Sequence, residues 1–433
     1  MAETDALQAE GSRFSVLGSD RQPDVPQLVD HLFRHQAGQL VATLTRIFGP
    51  QQLDLAEDVV QEALLRALRH WPYHGVPDNP AGWLMRVAKN CALDRLRRER
   101  RFAERHGELA AQLALAPDPA DADEGELRDD MLRLMFTCCH PAISREAQVA
   151  LTLKTLGGFG VPELARAFLA PEPTIAQRLV RAKKTIRERG VPFEVPGAAD
   201  LPARLGALLE VLYLLFNEGY GAAQGEELLR RDMCAEAIRL AAIVAQHPAC
   251  DTPTTHALLA LLLLLAARLP GRTGAAGDLL TLAEQRRERW DRTLIARGLA
   301  ELGRASQGDA LSPYHPQAAI AALHALAPAY DQTDWVAILE QYDLLMTLAP
   351  SPVVVLNRAV ALAELRGPQA GLQAIEPLRP SLAGYHLLHA VAASLHQRAG
   401  QPAQALSCYR RALELAANEA ERRFLARKID SFG

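Results

Sequence analysis

Two sets of side chains have the types and spacing for recognition chemistry. In Leu53 to Trp71, Asp54, Glu57, Asp58, Gln61 and Glu62 recur at three- and four-residue steps and form one acidic face of a helix. Leu55, Val59, Ala63, Ala67 and Leu68 form its apolar stripe. In the second set, Thr174, Gln177, Arg178 and Arg181 share the start of a basic helix, with Lys183, Lys184 and Arg187 further along. Gln and Arg can grip adenine and guanine edges with two hydrogen bonds each, whereas lysines along a helix meet phosphates or a protein partner. Between the sets lies a third element. Arg95, Arg97, Arg98, Arg100 and Arg101 make a basic helix suited to phosphate neutralisation. Just before it the helical period is interrupted at Lys89, Asn90 and Cys91, and Asn90 offers an amide donor and acceptor to an unstacked base.

Bond-making chemistry has no comparable support. The chain lacks a Gly-rich phosphate loop, an HExxH helix and a nucleophile elbow. Cys138, Cys139 and His140 fall short of the four ligands zinc requires. The expectation is a non-enzyme without metal or cofactor.

The elements that position these residues are helical almost throughout. With 433 residues, two to four domains are needed. The formal net charge of −4 conceals blocks of charge. Arg86 to Arg105 holds eight Arg/Lys against three acids, Arg178 to Arg189 six against one, and Asp118 to Asp130 seven acids against one Arg. Of six cysteines, Cys138 and Cys139 are neighbours and the rest are scattered, which suits a reducing cytoplasm. The apolar run Ala257 to Ala267 is about half a membrane span and reads as a buried helix, so no membrane partner is expected.

Composition divides the chain into a loose arm (1–25), a helical domain (26–105), an acidic linker (106–124), a second helical domain (125–192) and a helical remainder (193–433). In the second domain Ser144 opens a helix that Gly157 and Gly158 close. Val161 to Leu169 is a short helix, Ala170 to Pro173 a tight turn, and Thr174 to Arg189 the basic helix, which together describe a helix-turn-helix. The remainder carries degenerate repeats at offsets of about 34 residues. Ala405, Tyr409 and Ala412 fit the second-helix pattern of a tetratricopeptide repeat, and Ile338, Tyr342, Leu345 and Pro350 fit it more loosely.

The strings AEDVVQEALLRAL (Ala56 to Leu68) and PAGWLMRVAKNCALDRLRRERR (Pro80 to Arg101) resemble region 2 of the sigma-70 superfamily. TIAQRLVRAKKTIRE resembles the reading helix of region 4. With no recognisable region 1.1 or region 3, the layout is that of the extracytoplasmic-function type. From Leu201 the chain resembles the tetratricopeptide-like C-terminal extension of one subgroup. The resemblance implies an all-α protein: two small sigma domains followed by an α-solenoid-like domain. It also implies a transcription initiation factor that binds core RNA polymerase (clamp and flap) and promoter DNA. Asp58, Gln61 and Glu62 become the polymerase-docking residues. Lys89 and Asn90, with Trp83, Arg95, Arg97 and Arg98, become the −10 readers. Thr174, Gln177, Arg178, Arg181 and Lys184 become the −35 readers. Trp83 fits either base stacking or core packing. The acidic linker fits either a nucleic-acid mimic in the polymerase channel or a spacer. The two prolines, Pro171 and Pro173, depart from the usual turn and leave the register of base contacts open.

The extension implies regulation, with contact between it and the sigma domains. Asn217, Glu218, Tyr220, Trp290, Asp291 and Arg292 fit either a concave binding surface or a buried network. The alternative function is a polymerase-independent helix-turn-helix regulator with a solenoid sensor, which needs no acidic docking face.

Overall fold

The structure, a computed structural model, describes residues 25–98, 124–168, 170–220, 231–274 and 279–432. Side chains are described from residue 36 in the first helix and up to residue 95 in the third. The expected N-terminal arm, the acidic linker, Arg100 and Arg101 lie outside the described residues, as do the side chains of Arg97 and Arg98.

Among the described residues there are eighteen α-helices and no strand, so the all-α expectation holds. The first unit is α1 (Val25–Phe48), α2 (Leu53–His74) and α3 (Pro80–Arg98). The second is α4 (Glu124–Cys138), α5 (Arg145–Thr155), α6 (Val161–Ala167) and α7 (Glu172–Arg189). Then follow α8 (Leu201–Tyr220), α9 (Arg231–Gln246), α10 (Pro253–Ala266), α11 (Arg292–Ala305) and α12 (Tyr314–Leu326). The series ends with α13 (Trp335–Leu348), α14 (Pro352–Arg366), α15 (Pro368–Ile375), α16 (His386–Arg398), α17 (Pro402–Leu415) and α18 (Glu419–Asp430).

Several boundaries differ from the sequence reading, each for a local reason. The helix after Ser144 begins as expected, although the Ser144 hydroxyl caps no N–H. Helix α7 starts at Glu172, two residues before Thr174, because Pro173 is tolerated in a first turn where N–H groups have no helical partner. The interruption expected at Lys89 to Cys91 is absent. Helix α3 runs through these residues without a break, since Leu84, Ala88, Cys91 and Ala92 keep one buried stripe across them. Leu68, expected in the core stripe of α2, is 38% exposed, and the stripe passes through Leu64 to a fully buried Trp71 instead.

One apolar cluster extends from Ala37 in α1 to Leu269 after α10. It takes side chains from the first unit, from the second and from α8 to α10, so these segments fold as one body. The stretch Pro253–Gly271 is long and apolar enough to cross a membrane, but 78% of its window is buried inside the protein. It is the core helix of this body. Its surroundings are apolar all round, which explains why it lacks a polar face.

The C-terminal helices are organised differently. Small separate clusters form between α14 and α16, between α16 and α18, and among α12, α13 and α14. Ala405, Tyr409 and Ala412 are buried in α17, as their spacing suggests. Gly400, at the turn before it, has φ +71°, a conformation that favours glycine.

Candidate nucleic-acid and polymerase interface

The acidic face of α2 is divided between two tasks. Its N-terminal part faces inward. Glu57 is buried, accepts a 2.6 Å hydrogen bond from the Thr155 hydroxyl of α5 and a 2.7 Å bond from Lys183 Nζ of α7. Lys183 also donates to Asp54 at 2.9 Å, and Arg187 lies 3.9 Å from the same carboxylate. Burial works against the Lys183 charge, but Glu57 and Asp54 outweigh it and hold its pKa above the usual lysine value. Lys183 read as a phosphate or polymerase contact from sequence; in the folded chain it is a tie between the two helical units.

The next residues along α2 are accessible. Asp58 is exposed and pairs at 2.9 Å with Arg95 of α3, while half-buried Glu62 receives Arg66 Nε at 3.1 Å. Gln61 is half-buried beside them. Asp58, read from sequence as polymerase-docking, and Arg95, read as a −10 residue, are therefore ion-paired neighbours. Both partners are more than a third exposed, and such a pair exchanges readily for an external partner.

Lys89 and Asn90 share one helix with Arg95 rather than forming a loop. Asn90 is exposed and Lys89 half-buried. Trp83 packs edge-on against Trp71, at 5.4 Å between ring centroids, and stacks on His70 at 5.9 Å. It is partly buried against the core, so its inner edge has a packing role and the rest reaches solvent.

Helices α6 and α7 meet across a short turn. Gly160 at the start of α6 donates its N–H to Glu163 at 2.7 Å, and Ile175, Leu179, Ala182 and Ile186 bury the inner face of α7. On its other face, Thr174, Gln177, Arg178 and Arg181 line a recess of about 340 Å³ with Ile143 and Ala147 at the start of α5. Gln177 and Arg181 are exposed and Arg178 half-buried. Lys184 projects elsewhere and pairs with Glu188 at 3.6 Å. Four of the five residues expected from sequence to read a −35 element are thus brought together around one recess, and Lys184 is not among them.

The two units are held by more than Lys183. Gly38 of α1 lies so close to α5 that a Cβ there would stand 2.4 Å from the Leu156 carbonyl oxygen. Arg46 of α1 donates to the buried Asp130 of α4 at 2.8 Å. Burial pushes the Asp130 carboxyl above its usual range, against the opposing pull of Arg46 and Arg133. Arg145 joins the second unit to α8, through the Ala207 carbonyl at 2.9 Å and Glu210 at 2.6 Å. Cys138 and Cys139 are buried in this body, and burial raises both thiols, Cys139 to about 11, so neither is a ready thiolate.

Of the residues with two open readings in the C-terminal part, Trp290 is 3% exposed and Asp291 caps α11 through the N–H groups of Thr293 and Leu294. Both are structural members. Glu57, Arg46, Asp130 and Gly38 were not singled out as ties from sequence. Their partners are far along the chain, and only the odd Glu on the inner edge of the acidic face gave any signal.

Comparison with known proteins agrees with this geometry. Residues 32–102 match the family "Sigma-70 region 2", and residues 204–306 match a family of unknown function, DUF6596. The chain is 40% identical over 405 residues to the uncharacterized protein R00370 of Rhizobium meliloti, covering 90% of this chain and 93% of that protein. It is 33% identical over 141 residues to the ECF RNA polymerase sigma factor SigL of Mycobacterium tuberculosis, covering 31% of this chain and 77% of SigL. It is 29% identical over 135 residues to the probable RNA polymerase sigma factor RfaY of Xanthomonas campestris, covering 30% of this chain and 33% of that one. No solved structure matches the chain. With a region 2 whose acidic and basic helices stand side by side, the chain belongs to the sigma-70 family.

Proposed function

We propose that the chain is an extracytoplasmic-function-type sigma factor. It binds core RNA polymerase through Asp58, Gln61 and Glu62, and the flap through its second unit. It directs the enzyme to −10 elements through α3 and to −35 elements through α7. It acts in the cytoplasm, has no enzymatic activity of its own, and its C-terminal tetratricopeptide-like domain regulates it.

One observation carries the reading. Thr174, Gln177, Arg178 and Arg181 converge on an open recess, and the side chains of Gln177, Arg178 and Arg181 make no hydrogen bond or ion pair among the described residues. Side chains able to read purine edges are left unused by the fold. Support for the polymerase face comes from the exposed Asp58–Arg95 pair, which a cationic partner can open. Support for regulation comes from Arg145, which ties the second unit to α8 at the start of the C-terminal domain.

Reconstituted transcription with core polymerase, followed by mapping of the genomic sites bound, tests the whole reading. The double charge reversal Asp58→Lys and Glu62→Lys is expected to abolish promoter-dependent transcription. Gln177→Ala with Arg178→Ala is expected to weaken promoter binding by about 2 to 4 kcal/mol. Full activity in the charge-reversal variant would count decisively against polymerase docking through α2. Truncation after residue 328, which keeps α1 to α12 and the core they share, should change the transcription level while leaving promoter choice intact.

A further inference from the structure

Among the described residues, Arg268 and Arg287 each have buried N–H groups without a partner and no carboxylate in ion-pair contact. Arg287 is 5% exposed, its Nε and Nη2 are buried without a partner, and only Nη1 reaches the Leu282 carbonyl, at 3.5 Å. Arg268, at the end of α10, likewise has its Nε buried and unpartnered. Both guanidiniums lie against the Trp290 ring, 5.2 Å and 4.1 Å from its centroid, and the Trp290 indole N–H is unpartnered too. The groups facing Arg268 are Tyr220, Tyr342 and the cationic Arg272, and those facing Arg287 are Arg268, Glu288 and Tyr330. Neither arginine makes an ion pair among the described residues.

A guanidinium cannot escape burial by losing its proton, and an aromatic face only partly offsets the lost hydration. His324 beside them does escape. Burial first, and then the two arginines, push it down to about 3, so it stays neutral with its Nδ1 unpartnered. The result is a positive cluster with several unclaimed N–H donors. Its chemical complement is an acceptor-only group, the oxygens of an anion.

A cavity is lined by Arg268 and His324 of this cluster, with Arg287 and Trp290 outside its lining. Its volume is about 560 Å³, in the range of small-molecule sites. Arg268, His324, Tyr213, Gln317, Tyr342 and Asn357 line it with polar and aromatic groups, and most of the remaining wall is leucine, valine, isoleucine and alanine, with a proline and a serine. These residues come from α8, α10, α12, α13 and α14, where the large shared core meets the C-terminal helices.

We propose that this cavity binds a small organic anion whose carboxylate or phosphate is held by Arg268, with Arg287 and the Trp290 N–H adding to the positive field, and whose apolar body fills the aliphatic wall. The site gives the C-terminal domain a ligand class, and it sits where occupancy can stiffen the joint between that domain and the sigma-bearing body.

The test uses the full-length protein alone, so its failure leaves the transcriptional role untouched. Thermal melting and calorimetric titration are run with phenyl phosphate, benzoate and the neutral benzyl alcohol at matched ionic strength. The expected result is a saturable rise in melting temperature with one of the anions and none with benzyl alcohol. Which anion works separates a phosphate ligand from a carboxylate ligand. Arg268→Met should weaken binding at least about tenfold, while Arg379→Met, which removes an exposed partner of Glu376, should leave it unchanged. Asn357→Trp, which fills the cavity without touching the charges, should block binding as well and serves if the Arg268 variant does not fold. No saturable shift with either anion, an equal shift with benzyl alcohol, or unchanged affinity in the Asn357→Trp variant overturns the proposal.

Discussion

The body from α1 to α10 and the run from α13 to α18 are both helical, yet they are held together by different means. In the first, side chains far apart in the chain share one cluster, and polar ties such as Lys183 to Glu57 join residues 126 positions apart. In the second, each small cluster draws on helices adjacent in sequence. A region of the first kind behaves as one cooperative unit, whereas one of the second kind loses stability element by element. The surfaces proposed to bind promoter and polymerase therefore sit on the part that shares one core, and the proposed anion cavity lies at its edge.

The sharpest way to break this contrast is at Glu57. Replacing Glu57 with Ala leaves the half-buried Lys183 with only the exposed Asp54 and strands the Thr155 hydroxyl, and is expected to cost about 1 to 3 kcal/mol. Because the tie joins two units of one core, urea unfolding followed at Trp71 and at α7 should shift together. Unchanged unfolding at α7 would show that the units are independent. A double-mutant cycle with Lys183→Met isolates the pair.

The second effect is pH-dependent and belongs to the joint. His324 is 8% exposed and its pKa is held down at about 3. The unfolded chain therefore binds the proton first. The stability this group confers is present above about pH 6.5 and is lost as pH falls towards 3. Between pH 6.5 and 4 the loss should reach about 3 kcal/mol, and His324→Leu should flatten that slope in denaturant titrations. An identical slope in the variant would show that the neutral histidine is not the cause.

How much of this was legible in the sequence follows from how far each interaction reaches. Ala405, Tyr409 and Ala412 were readable as buried because their spacing puts them on one face of a single helix. Helices α6 and α7 were readable from local periodicity, although α7 begins two residues earlier than expected. Lys89 and Asn90 misled because polar types at an apparent break in the period suggested a loop, while Ala88, Cys91 and Ala92 kept the helix buried through it. Lys183 misled because lysines on a basic helix suggest phosphates, and nothing local reveals that Glu57 waits across the core. Gly38 carried no local signal at all, since its reason for being glycine is the Leu156 carbonyl in another unit.

The smallest predicted effect probes the local side of the contrast. Asn418 caps α18, its side-chain oxygen accepting from the N–H groups of Ala420 at 2.8 Å and Glu421 at 3.2 Å. Asn418→Ala should cost about 1 kcal/mol, the usual worth of a lost cap. Because the apolar face of α18 packs into the cluster of Tyr409, Ala412 and Leu425, with Arg427 and Lys428 reaching back to Leu279 and Glu284 in the segment after α10, that loss should stay at the C-terminal end. Hydrogen exchange is expected to quicken in α17 and α18 while α1 to α10 keep their protection. Faster exchange in α2 or α7 would mean that the C-terminal helices are coupled to the sigma-bearing body along their whole length, and that the difference between the two regions is one of contact pattern alone.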